Sequence, residues 1–196
     1  MTTADLPLTH ESIPPREETD GPAPAVFILH GRGADEEDLL PVARHLPEAY
    51  HVVSFRAPDR LMGGYTWYEL DLSDGGLESS QPHAEEFRRS LDLVWESVAA
   101  ATDAYDLDPE HRGLLGFSQG AITSISTLVE RPEELSWVVA LHGYLAAEHA
   151  DADVDLDGKP VFVGSGEADD VIAASRGRAA AERLREWGAD VSFNTY

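Results

Sequence analysis

Residues Gly113 to Ile122 read GLLGFSQGAI, and within them Gly116-Phe117-Ser118-Gln119-Gly120 places one hydroxyl between two glycines. The arrangement fits G-x-S-x-G, in which a strand turns sharply into a helix and lifts a serine oxygen clear of the sheet. Ser118 is therefore a candidate nucleophile. With glycine and serine each at about 7% of residues, the pattern arises by chance in roughly one chain of this length in fifteen, so its setting must carry the weight. The setting agrees: the apolar run GLLGF comes before the serine and the helical pattern QGAITSISTLV after it. A plainer reading, a serine that caps a helix, rests on the same placement.

Two further stretches could complete such a site. His30-Gly31-Arg32-Gly33-Ala34-Asp35 directly follows the apolar run VFILH. Its glycines let backbone N–H groups turn toward a developing oxyanion, worth about 3–4 kcal/mol of transition-state stabilisation. The expected donors are the N–H groups of Arg32 and Gln119. The same loop also reads as an ordinary strand-to-helix turn or a weak phosphate cradle. Gly164-Ser165-Gly166-Glu167-Ala168-Asp169 follows the run PVFVG, and a carboxylate there suits the chain order Ser, Asp, His, with Asp169 the candidate. In so acidic a chain a loop carboxylate is more ordinarily a solvated surface group.

The elements that must position these residues alternate along the chain. Val26–His30, His51–Phe55, Gly113–Phe117, Trp137–Leu141 and Pro160–Gly164 read as buried strands, with another beginning at Asp190. Helical patterns fall between them at about 36–46, 84–105, 119–130 and 175–187, the clearest carrying Phe87, Leu91, Val94 and Val98 on one face. This alternation predicts an α/β fold, a mostly parallel sheet with helices on both faces. Residues 1–24, rich in proline, read as an N-terminal arm or edge hairpin, and residues 25–196 as one domain.

Composition narrows the chemistry. The 196 residues include no cysteine, which removes disulfides, a thiolate nucleophile and Cys-based zinc sites. Thirty-seven acidic residues against 14 basic ones give a formal charge of −23, which repels nucleic acid and anionic membrane surfaces. With 42% hydrophobic residues the chain is expected to fold, and its acidic, lysine-poor surface suits a halophilic protein; the start MTTADLPLTH has neither a basic nor an apolar leader pattern, so a cytoplasmic location is expected. Asp153-x-Asp155-x-Asp157-Gly158 copies the first half of a calcium loop, but its twelfth position is Gly164, so no metal site is expected.

Taken together, LHGRGAD, RAPDRLMGGYTWYEL, GLLGFSQGAI and GSGEADDVI resemble the phospholipase/carboxylesterase family of α/β-hydrolases, the group that includes the acyl-protein thioesterases. The resemblance implies an α/β-hydrolase fold and serine hydrolysis of carboxylic esters or thioesters of small to medium acyl groups, without a cofactor. It implies Ser118 as nucleophile, Asp169 orienting a histidine, the Arg32 and Gln119 amides as oxyanion hole, and Trp67 and Tyr68 lining the substrate pocket. The expected partner is a small-molecule ester; a homodimer is left open.

The histidine departs from the family pattern, in which it lies just past the last strand. The sequence reaches Tyr196 within that strand, so the base is expected beyond Tyr196 in a longer chain. Of the eight histidines present, His142 ends the strand after the nucleophile helix, close enough to act as a substitute base. The alternative is a non-catalytic ligand-binding homologue that has lost its base.

The charge has a direct consequence. Self-repulsion at −23 should weaken folding in dilute buffer and be screened in molar salt, where the Debye length is about 3 Å. The melting temperature should therefore rise with added KCl; a flat or falling trend in a thermal scan would contradict the halophilic reading.

Overall fold

The computed structural model describes residues 4–73, 75–76 and 79–196. Its strands are β1 (His10–Ile13), β2 (Ala23–Leu29), β3 (His51–Phe55), β4 (Asp59–Leu61), β5 (Gly64–Thr66), β6 (Leu70–Asp71), β7 (Gln81–Pro82), β8 (Leu107–Phe117), β9 (Trp137–Leu141), β10 (Pro160–Ser165) and β11 (Asp190–Thr195). The α-helices are α1 (Ala84–Ala104), α2 (Gln119–Glu130) and α3 (Ala174–Glu186). Seven strands form one sheet in the order β1-β3-β2-β8-β9-β10-β11. All its pairings are parallel except β1 with β3.

This order places the site. From β2 the chain steps outward to β3, and the next strand of the main sheet, β8, returns to the other flank of β2. The crevice between the carboxyl ends of β2 and β8 is thus a topological switch point, where open α/β sheets bind ligands. Leu29 of β2 lies level with Gly116 of β8, so the loop after Leu29 and the turn after Phe117 leave the sheet side by side.

Strand alternation sorts the apolar residues into two layers. Phe27, Leu29, Leu114, Val138, Ala140, Val161 and Val163 face α1, α2 and α3 in the larger core. Val26, Ile28, Val52 and Leu115 face the other way. There the helix expected over 36–46 gives way to turns and a short 3₁₀ segment, Leu40–His45. Pro41 supplies no N–H for an α-helical bond, the Asp35 carboxylate accepts the Glu37 N–H, and the Leu40 and Val42 amides bond three residues back instead of four.

Residues His10–Ile13 belong to the sheet, since β1 pairs with β3 from His10↔Phe55 to Ile13↔Val52. The Leu8 N–H donates to Ser97 Oγ at 3.1 Å. His10 Nε2 and the Tyr105 hydroxyl are hydrogen-bonded at 2.7 Å, and the buried His51 ring lies against Tyr105 and bonds Ser12 Oγ at 2.8 Å. Burial lowers the pKa of both histidines, in His10 against smaller opposing effects from the Leu8 backbone and Glu11.

A histidine with a folded pKa below its unfolded value of about 6.5 favours the native state at higher pH, and that stabilisation is lost as pH falls. Between pH 7.5 and 5.5, the double variant His10→Gln/His51→Gln should lose less melting temperature than the parent. Parallel curves from the two proteins would show that these rings do not couple to folding.

Candidate active site

The turn after β8 is built from close backbone contact. A Cβ at Gly116 would overlap the Gly120 carbonyl, and one at Gly120 would overlap the Leu29 carbonyl, so α2 can pack this tightly on the strands only with hydrogen at both positions. Between them Ser118 has φ 52° and ψ −116°, a conformation uncommon for a residue with a side chain. Its N–H donates to the Leu141 carbonyl at 2.9 Å, and its own carbonyl accepts from Ala121 and Ile122 as α2 begins. The Ser118 side chain makes no capping hydrogen bond, which removes the helix-capping reading.

The loop after β2 abuts this turn. A Cβ at Gly31 would press on the Phe117 ring and lie 3.5 Å from Ser118 Cβ. The Gly33 N–H donates to the Tyr65 carbonyl and the Tyr65 N–H to the Ala34 carbonyl, so β5 clamps the loop. The Arg56 guanidinium pairs with Glu36 and lies over the Tyr65 ring. Burial works to raise the Glu36 pKa, but the bonds from Arg56 and from its own backbone outweigh it and hold the carboxyl below its usual range. Among the described residues, the backbone amides of Arg32 and Gln119 have no acceptor. The Arg32 side chain turns outward to Glu69 at 3.0 Å.

His30 is fully buried, and both its ring nitrogens are used. Nδ1–H donates to the Gly31 carbonyl at 2.7 Å, and Nε2 accepts the Ala57 N–H at 3.0 Å, which fixes a neutral imidazole as a brace for the loop. Burial lowers its pKa in the same sense, against smaller effects from the Gly31 backbone and nearby carboxylates.

Trp67 and Tyr68 present no surface to solvent. Trp67 Nε1 donates to the His30 carbonyl at 2.8 Å, and the Tyr68 hydroxyl reaches the Gln119 carbonyl at 3.4 Å. Gln119 joins this segment to the Ser118 turn: its side-chain oxygen accepts from Thr66 Oγ1 and the Trp67 N–H, and its Nε2 donates to the Tyr68 carbonyl at 2.7 Å.

After β10, Asp169 is oriented from three sides. Its Oδ1 accepts the Val171 and Ile172 N–H groups, each at 2.9 Å, and its Oδ2 accepts Nδ1–H of His142 at 2.6 Å. Burial works to raise its pKa, but the bonds from His142, Ile172 and Val171 prevail and keep it below the ordinary carboxylate range. Neighbouring Asp170 is exposed. His142 has φ 55°, and its ring lies 5.3 Å from Phe117 and 5.5 Å from Tyr196, centroid to centroid. The Asp153–Asp157 loop is not among the acidic clusters that converge; there Asp155 accepts the Asp157 N–H. Glu130, Glu148 and His149 do converge elsewhere, but Arg88 pairs with both carboxylates.

A family model described as Phospholipase/Carboxylesterase matches residues 12–196. Acyl-protein thioesterase 1 of Candida albicans is 26% identical across 88% of this chain and 82% of its own length. Acyl-protein thioesterase 1 of Gibberella zeae is 32% identical across 81% of this chain and 66% of its own. Among solved structures, a carboxylesterase from Mesorhizobium loti superposes with a TM-score of 0.84 at 22% identity, covering 99% of this chain and 88% of that one. The Bacillus cereus carboxylesterase gives a TM-score of 0.82 at 23% identity, covering 96% of this chain and 84% of that one. No helix among the described residues is long and apolar enough to cross a membrane.

Gln119→Ala would remove three hydrogen bonds and leave the Trp67 N–H without its acceptor, while the Tyr68 carbonyl would keep only the Thr66 hydroxyl. Chemical denaturation should show a loss of about 2–3 kcal/mol. A loss below ~0.5 kcal/mol would mean that these groups find other partners.

Proposed function

The chain belongs to the phospholipase/carboxylesterase family, and on that premise we propose that it hydrolyses esters or thioesters of small to medium acyl groups through an acyl-enzyme on Ser118. The observation that carries this reading is the Ser118 turn itself. A serine with φ 52°, uncapped, stands at the switch point beside two amides that have no internal acceptor.

In this reading a histidine oriented by Asp169 takes the Ser118 proton as Oγ bonds to the acyl carbon. The carbonyl electron pair moves onto oxygen, where the Arg32 and Gln119 N–H groups receive it. Collapse of that intermediate breaks the bond to the alcohol or thiol, which leaves with the proton. Water then repeats the sequence at the acyl-enzyme and frees the acid. Trp67 and Tyr68, fully buried, serve by fixing the His30 and Gln119 backbones beneath the site. The formal charge of −23 disfavours anionic lipid surfaces and favours neutral, dissolved substrates.

A fluorophosphonate should label the protein covalently, and Ser118→Ala should remove both labelling and esterase activity. Asp169→Asn should slow turnover by about 10³- to 10⁴-fold with the fold intact, and Asp170→Asn far less. Labelling that survives in Ser118→Ala would dismiss the nucleophile, and equal losses in the two aspartate variants would dismiss Asp169.

A further inference from the structure

We propose that the groove between β1 and the 3₁₀ segment Leu40–His45 is a binding site, separate from Ser118, for a monocarboxylate with a medium-length apolar body. Its cavity measures about 370 Å³, within the roughly 300–1,000 Å³ of small-molecule sites. Ile13, Leu40, Ala43, Tyr50 and Val52 give it an apolar lining continuous with the smaller core.

The groove arises where the chain does not form an α-helix. Pro41 and the Asp35 turn hold Leu40–His45 to a short 3₁₀ coil, and the face of the sheet beside it, at Ile13 of β1 and Val52 of β3, is left open. Pro14, Pro41 and Pro47 line the groove with their backbone angles fixed. The Arg16 N–H donates to the Glu48 carbonyl at 2.8 Å and its Nη2 to the Leu46 carbonyl at 2.9 Å, which ties the chain after β1 to the end of the 3₁₀ segment. The Tyr50 ring is held edge-on by Trp137. A groove shaped in advance loses little freedom when it is filled.

Charge selects the occupant. In this chain of 37 acidic and 14 basic residues, Arg32, Arg56, Arg88, Arg89, Arg112 and Arg183 each pair with a carboxylate. Arg44 does not: it is exposed, and among the described residues its guanidinium has neither a hydrogen bond nor an ion pair. It lines the groove together with Arg16 and one carboxylate, Glu37. Two cations against one anion favour a monoanion, since a second negative charge on the ligand would meet Glu37. A guanidinium receives a carboxylate through two parallel N–H···O bonds, while the apolar body of the same molecule covers the lining. The formal charge of −23 opposes any anion at long range, but that repulsion fades beyond a Debye length of about 8 Å at physiological salt, and contact with the arginines then decides.

The groove is remote from the nucleophile turn. Val52 is level with Val26 and, through it, with Gly113 of β8, whereas Ser118 follows the carboxyl end of that strand. At about 3.3 Å per residue, Gly113 and Ser118 are roughly 16 Å apart along the sheet. The groove also opens on the face of the smaller core, away from α1, α2 and α3. Occupancy of this site therefore does not depend on the acyl-enzyme reading.

The test is a titration of the 196-residue chain with octanoate, followed by the methyl resonances of Ile13, Leu40, Ala43 and Val52 in an NMR spectrum. These resonances should shift in saturable fashion. Octanol and octylammonium, which keep the body and change the charge, should bind at least tenfold more weakly, and acetate, which keeps the charge and loses the body, should bind at least tenfold more weakly too. Arg44→Gln should weaken octanoate binding at least tenfold, while Arg178→Gln, an exposed arginine on α3 at the other end of the sheet, should leave it unchanged. The ligand series depends on no variant folding. Methyl groups that stay in place, shifts confined to residues around Ser118, octanol binding as tightly as octanoate, or full affinity in folded Arg44→Gln would each overturn the proposal.

Discussion

The architecture depends on one contact between backbones. Gly116 and Gly120 let the first turn of α2 rest directly on the carboxyl ends of β2 and β8, where any side chain would strike a carbonyl. That approach forces the chain to reverse within one residue and leaves Ser118 at a positive φ with its N–H on the Leu141 carbonyl. Strain of this sort costs on the order of 1–3 kcal/mol and persists only where the surroundings overdetermine it. Here α2 supplies the compensation: Ala121, Ile122, Ile125 and Leu128 are buried in the main core, and the helix cannot keep that packing if the turn relaxes.

The parts of the site that look separate in sequence are then ties on the same turn. The loop after β2 is fixed below by His30, bonded through both nitrogens to backbone, and from the side by β5. Gln119 reaches from the Ser118 turn to residues 66–68, and Trp67 reaches back to the His30 carbonyl. Two loops from adjacent strands are thereby held at a fixed separation, with the Arg32 and Gln119 amides free of acceptors among the described residues. A developing negative charge gains most from donors that need no reorganisation at the moment of reaction.

Much of this was legible from residue order. Strands β3 and β9 fall where continuous apolar runs place them, and α1 and α2 follow their periodicity, because burial on both faces or on one stripe leaves a pattern that does not depend on distant residues. The family match over residues 12–196 agrees with the motifs GFSQG and LHGRGAD. The misread segment was 36–46, whose apolar spacing suggested a helix while Pro41 and the Asp35 turn withheld its hydrogen bonds. β1 is too short and polar to announce itself; only its pairing with β3 defines it. Aromatic residues at 67 and 68 were expected to line a pocket, yet spacing does not reveal that both would be wholly enclosed with their polar ends turned to backbone. The pairing of His142 with Asp169 depends on the order β8, β9, β10, which a linear sequence does not display.

The proposed route takes the acyl group through Ser118. The most direct measurement is peptide mapping by mass spectrometry after an acid quench during turnover of a nitrophenyl acetate. One acetyl group is expected on the peptide containing Gly116-Phe117-Ser118-Gln119-Gly120, located at Ser118, appearing in a burst and vanishing once substrate is exhausted. Steady hydrolysis with no acetyl on that peptide, or with the acetyl on another residue, would contradict it.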